Sequence, residues 1–112
     1  MNLEAFLTSD LRNTHIDEPN LRVYVRKSNR VLDSTVVACL DIGNVTVKEK
    51  RRGQGVFSAF LGRFEEAART SNRAVLVESI MEPRLYAFLL RRGYRDTLHS
   101  HPIAPTVAKT WG

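Results

Sequence analysis

Apolar positions recur along this chain in rhythms that change from segment to segment. Over residues 2–12, Leu3, Phe6, Leu7 and Leu11 fall at helical spacing, which predicts a short helix. The polar stretch 13–20, with its proline, reads as a loop. LRVYVRK (21–27) alternates apolar and polar residues, the pattern of a half-buried strand, and Ser28 to Arg30 offer a turn after it. STVVACLDI (34–42) is a β-branched apolar run and predicts a central strand buried on both faces. Gly43 and Asn44 then offer a hairpin turn or a bulge, and VTVKEK (45–50) continues as a strand.

The second half is more regular. Residues 56–71 put Val56, Phe57, Phe60, Leu61, Phe64, Ala67 and Ala68 on one face of an amphipathic helix. RAVLVESI (73–80) reads as a buried strand. MEPRLYAFLLRRG (81–93) reads as a helix, with Pro83 in its first turn and Gly93 at its C-terminal cap. Tyr94 begins a short strand, residues 97–105 form a loop, and TVAKTW (106–111) closes the chain as a strand. The order is helix, three strands, helix, strand, helix, two strands: a mixed α/β fold.

At 112 residues the expectation is one domain spanning 1–112. No run approaches the roughly 20 apolar residues of a membrane span. The start, MNLEAFLTSDLR, carries acidic residues and no positive leader, so no signal peptide is read there. One cysteine, Cys39, cannot form an internal disulfide, and a reducing cytoplasm is the expected compartment. Seventeen Lys and Arg against 12 Asp and Glu leave a net charge of +5, which favours anionic partners without choosing among them.

KEKRRGQGVFSAF (48–60) narrows that choice. A strand entering a glycine turn that opens a helix aims several backbone N–H groups, and the helix dipole, at one spot. Gly53 and Gly55 carry no side chain to hold a phosphate away and tolerate positive φ. Lys48, Lys50, Arg51 and Arg52 add long-range attraction. Pyrophosphate fits. A nucleotide P-loop would need Lys-Ser/Thr after the glycines, and a dinucleotide fingerprint would need a third glycine; neither is present. The alternative is a solvated basic turn.

Arg52-x-x-Gly55, between a strand and an amphipathic helix, resembles the acetyl-CoA pyrophosphate loop of the GNAT family of N-acetyltransferases. About 40 residues on, FLLRRGY (88–94) is similar to the helix-to-strand ending after that family's fifth strand. The resemblance covers residues 35–96 and implies a GNAT-like domain: a mixed central sheet with a splayed parallel strand pair, flanked by helices. It implies acetyl-CoA as acyl donor, with pantetheine along Val45 and Val47 and the Val47 N–H on the thioester carbonyl. Pyrophosphate would rest on the amides of Gly53, Gln54, Gly55, Val56 and Phe57, beside Arg52. It further implies a small-molecule or protein amine as acceptor. The segment before the central strands is short for the family.

Two positions depart from the family pattern. Phe57 stands where Gly or Ala is usual, and its ring either narrows the phosphate site or turns into the core. Leu89 stands four residues before Gly93, where many members carry a tyrosine that protonates the leaving thiolate. Tyr86 is one turn earlier and about 60° round the helix. Glu78, inside an apolar strand, is the first candidate base, against a solvated or arginine-paired reading. Asp41 is second, against turn capping.

Cys39 has no local feature that would lower its pKa and reads as a small core residue. His99 and His101 lack further ligands nearby, and no metal site is expected. The runner-up function is a catalytically silent module that binds a protein partner. Nucleic-acid binding rests on charge alone, without the interleaved aromatics of a single-strand binder.

Overall fold

The structure, a computed structural model, describes residues 1–98 and 100–111. Helix α1 (Leu3–Thr8) precedes strands β1 (Asn13–Glu18), β2 (Leu21–Leu32) and β3 (Thr35–Val47). Helix α2 (Val56–Thr70), strand β4 (Ala74–Val77), helix α3 (Pro83–Arg91) and strands β5 (Arg95–Asp96) and β6 (Val107–Lys109) follow. They build one six-stranded sheet in the order β1-β2-β3-β4-β6-β5. Every neighbouring pair is antiparallel except β3 with β4. The mixed α/β architecture and the parallel central pair agree with the expectation from sequence.

The count of elements also agrees, but two of the three early strands are not the expected ones. Residues 13–18 are a strand rather than a loop: β1 is an edge strand in which only Ile16 is buried, so it can otherwise be polar. The chain does not turn at Ser28 to Arg30. β2 continues to Leu32, and the reversal comes at Asp33 and Ser34, with φ of 49° and 68°. The run 34–42 and the start of the run 45–50 are one strand, because Gly43 and Asn44 form a bulge in β3 opposite Tyr24 and Val25; the strand ends at Val47, and Glu49–Arg51 is a 3-10 turn. β3 is buried on both faces only from Cys39 to Ile42; Val36 is 69% exposed.

All three helices lie on one face of the sheet. Leu3 and Phe6 of α1, Phe60, Leu61 and Phe64 of α2, and Leu89 of α3 share one core with Val23, Val25, Leu40, Ile42, Val75 and Val77. Strand side chains alternate, so Arg26, Arg30, Asp41, Leu76 and Glu78 belong to the opposite face. Helix α3 ends in a Schellman cap: Gly93 at φ 100° lets the Tyr94 N–H reach the Leu89 carbonyl at 3.0 Å and its own N–H reach Leu90 at 3.1 Å. That cap sends Tyr94 back into the core, 2% exposed.

Candidate functional site

β3 and β4 pair in parallel from Cys39–Ala74 to Ile42–Val77, and the Glu78 N–H then donates to the Ile42 carbonyl at 2.9 Å. There the pairing stops. Ser79 takes φ 52° and leads the chain away toward α3, while β3 runs on to Val47 with only β2 beside it. The Lys48 N–H donates to the Asn20 carbonyl at 2.9 Å, on the β2 side. Alternation along the strand therefore turns the N–H and C=O of Val45 and Val47 to the other side, into the gap. A groove of about 160 Å³ fills the divergence, lined among others by Asn44, Val45, Glu78, Ser79, Glu82 and Leu85.

Beyond Val47 the chain makes a 3-10 turn, Glu49–Arg51, and enters the glycine corner. Gly53 and Gly55 stand at φ 77° and 76°, and a Cβ on either would meet no atom within 4 Å. They are needed for their backbone conformation, and the space beside them is open. Among the described residues, the N–H groups of Gly53, Gly55, Val56 and Phe57 donate to no protein acceptor, whereas the Gln54 N–H is taken by the Arg51 carbonyl at 3.3 Å. Four free donors at the start of a fifteen-residue helix suit an anion. Arg52 folds back, its Nε donating to the Val47 carbonyl at 3.3 Å, so its charge lies between the strand end and the corner. Phe57 packs against the core, which leaves the corner clear.

Glu78 follows the last residue of β4 and meets β2 on the open face of the sheet. Its Oε1 accepts from Arg30 at 2.8 Å and its Oε2 pairs with Arg26. Asp41, fully buried beside it, accepts from Arg30 through Oδ2 at 3.0 Å, with the Arg26 Nε at 3.8 Å. Its Oδ1 has no hydrogen-bond partner. Burial pushes the Asp41 carboxyl above its usual range, and Ser28, Arg30 and Arg26 offset this only in part. Asp41 is thus no turn cap, and Glu78 is the arginine-paired residue that its position allowed. The arginines went unrecognised in the sequence because they lie in RKSNR, where β2 was expected to end. Two residues four apart on a strand share a face, so extending β2 would have put them together.

The other candidates lie elsewhere. The Tyr86 hydroxyl donates to Asp96 Oδ2 at 2.7 Å, which holds the phenol above its usual pKa, and the side chain lines a separate cavity. Leu89 is fully buried. Cys39 is buried, and desolvation with the neighbouring Asp41 pushes its thiol up to about 11. The Nδ1 of His101 accepts from the Ile103 N–H at 3.1 Å; His99 lies outside the described residues. No described helix is long and apolar enough to cross a membrane. Asn44 and Glu82, which join the groove through the bulge and the α3 N-cap, carry no motif that would mark them in the sequence.

No family model matches the sequence, and no curated protein matches it significantly. Solved structures do. The toxin AtaT, in complex with acetyl-methionyl-tRNAfMet, superposes with a TM-score of 0.69 at 11% identity over 96% of this chain and 81% of that one. A protein of Agrobacterium tumefaciens, named only as a candidate acetyltransferase, gives 0.64 at 22% identity over 98% and 82%. Arabidopsis thaliana Naa50, bound to the bisubstrate analogue CoA-Ac-MVNAL, gives 0.58 at 16% identity over 82% and 66%. The chain has the GNAT fold. In this GNAT fold the splayed pair is β3 and β4, and the glycine corner opens α2. The chain spans 57% of AtaT bound to the antitoxin AtaR and acetyl-CoA, and 63% of KacTA bound to DNA.

Proposed function

We propose that this protein transfers an acetyl group from acetyl-CoA to a primary amine by direct attack of the amine on the thioester. The observation that carries this reading is the unpaired edge of β3. From Ile42 onward it offers the N–H and C=O of Val45 and the N–H of Val47 to an extended ligand, and it leads straight to the four free amides and Arg52 of the glycine corner. Pantetheine has the shape and amide spacing for such an edge, and pyrophosphate the charge for such a corner. Val45 lies three residues from the divergence, about 10 Å, and Val47 about 16 Å. Glu78 marks the divergence, so the Val45 N–H is the better placed donor to the thioester carbonyl, and Val47 holds pantetheine farther out.

The amine must lose a proton before or during attack, and Glu78, 15% exposed at the head of the groove, is the base assigned to receive it through water. Its two guanidinium partners hold it in place and compete for its lone pairs, so it works slowly. No side chain is assigned as the acid. Coenzyme A is a moderately good leaving group, and water reprotonates its thiolate.

A silent, partner-binding module is the second reading, and two observations favour it: Leu89 is buried where an acid is usual, and Tyr86 is turned to Asp96. Thermal melting with millimolar acetyl-CoA tests the first reading. Binding to the native state alone stabilises it by about 2.7 kcal/mol at a hundredfold excess over Kd. No shift would remove the donor assignment and leave the module reading in front.

A further inference from the structure

Beside the groove lies a second cavity, of about 360 Å³, between the N-terminal half of α3 and the segment after β5. Its walls are polar and apolar in about equal parts, with Ile80, Met81 and Ile103 among the apolar residues, and its polar end is built by Tyr86 and Asp96. Ile80 and Met81 line the groove as well, so the two spaces share a wall. Asp96 is held from both sides by neutral donors: Tyr86 on Oδ2 at 2.7 Å and Ser100 on Oδ1 at 3.1 Å. Each oxygen keeps a free lone pair. Among the described residues no lysine, arginine or histidine pairs with it. In a chain of net charge +5, an exposed carboxylate that two hydrogen bonds orient and no basic side chain pairs, set in the wall of a half-apolar cavity, selects a cation.

The register of the sheet places that carboxylate relative to the proposed chemistry. Ile42 pairs with Val77, Val77 with Val107, and Val107 with Asp96, so all four stand on one rung. Asp96 is therefore two strand spacings from Val77 and three, about 14 Å, from Ile42 on the β3 edge. An amine bound at Asp96 would be too distant to be the nucleophile. A second amine on the same molecule, reaching back past Ile80 and Met81, would not.

The geometry points to a linear diamine as the acceptor: one ammonium held at Asp96, a methylene chain along the Ile80–Met81 wall, and the other amine delivered to the thioester. This rests on the acetyl-transfer reading above. The delivered nitrogen attacks as the free amine. Its lone pair forms the C–N bond, the C–S bond breaks with its electrons leaving on sulfur, and the amine proton passes through water to Glu78 while the thiolate takes one from solvent. The distal ammonium stays charged throughout.

The test compares hexamethylenediamine with hexylamine and with the shorter trimethylenediamine, once a thermal shift has established that acetyl-CoA binds. The expected result is a kcat/KM for hexamethylenediamine at least about tenfold above both, the effect of one charge-assisted hydrogen bond. Asp96→Asn should erase the preference through KM, with kcat moving less than about threefold and the acetyl-CoA shift retained. Equal use of hexylamine and hexamethylenediamine, or a preference that survives Asp96→Asn, overturns the inference. Should acetyl-CoA not bind at all, calorimetry with hexamethylenediamine alone still decides. Binding about tenfold tighter than that of hexylamine, and lost in Asp96→Asn, supports the diamine site; equal binding removes it.

Discussion

Two carboxylate–guanidinium clusters sit on opposite faces of the same sheet, and they are built to different standards. On the helix face, Glu65 of α2 receives Arg92 through Nε at 3.1 and 3.0 Å and through a second nitrogen at 2.7 Å, with the Tyr94 hydroxyl at 2.8 Å. Lys109 approaches to 3.6 Å and also caps the Arg92 carbonyl at 2.9 Å. Both oxygens are satisfied. Burial alone would raise the Glu65 carboxyl, but Arg92, Tyr94 and Lys109 outweigh it and hold it below its usual value. On the open face, Asp41 keeps an orphan oxygen, the buried Arg26 Nε has no acceptor, and burial wins. The first cluster fastens α2 to the end of α3. The second carries an unrelieved cost at the head of the groove, where incomplete satisfaction is expected of a working site rather than of a fastener.

The largest effect should come from breaking the satisfied cluster. Arg92→Ala leaves Glu65 buried with weaker partners and should cost about 3 kcal/mol in denaturant unfolding. Arg30→Ala, which opens onto solvent and leaves Arg26 in place, should cost less. The reverse order would make the open-face cluster the structural one. Next comes rate. Glu78→Gln should lower kcat about a hundredfold or more at neutral pH with little change in melting temperature, whereas Glu65→Gln should change stability and spare turnover of the folded protein.

The acid responses of the two clusters should then have opposite signs. The Glu65 carboxyl is depressed in the fold, so its contribution is complete above the unfolded carboxyl value, about 4.3, and is lost as pH falls through the lower folded value. The gap in unfolding free energy between the parent and Glu65→Gln should therefore narrow on acidification. The Asp41 carboxyl is raised, so its charge penalises the fold at neutral pH and the penalty is relieved as pH falls through that raised value. The parent should therefore gain on Asp41→Asn as pH falls. Parallel slopes would erase the distinction. The smallest effect concerns Tyr86, whose hydroxyl is committed to Asp96: Tyr86→Phe should lower kcat by less than about tenfold, and a thousandfold loss would place it at the reacting atoms.

The difference between the clusters also explains what was legible in the sequence. Helix α2, the glycine corner and the capping Gly93 are local signals, set by residues within one turn of each other, and they were read from the residues directly. Glu78 could be picked out as a charge in an apolar strand. Its partners could not, because Arg30 reaches it across 48 residues, through a strand expected to stop at Lys27. The bulge at Gly43 and Asn44 was ambiguous for a related reason. The same residue types make a hairpin turn, and only pairing to β2 decides between them. β1 was missed because an edge strand needs only one buried side chain to hold its place.

Amide hydrogen exchange, read residue by residue with and without acetyl-CoA, tests the central claim most directly. The expected result is new protection at Val45 and Val47, which face the gap beside β3, and at Gly53, Gly55, Val56 and Phe57, with Gln54 changed least. In Gly55→Val, which forces a side chain into φ 76°, that protection should be lost while the rest of the sheet exchanges as before. Protection elsewhere, or none at millimolar acetyl-CoA in a folded parent, would contradict the assignment of the β3 edge as the donor site.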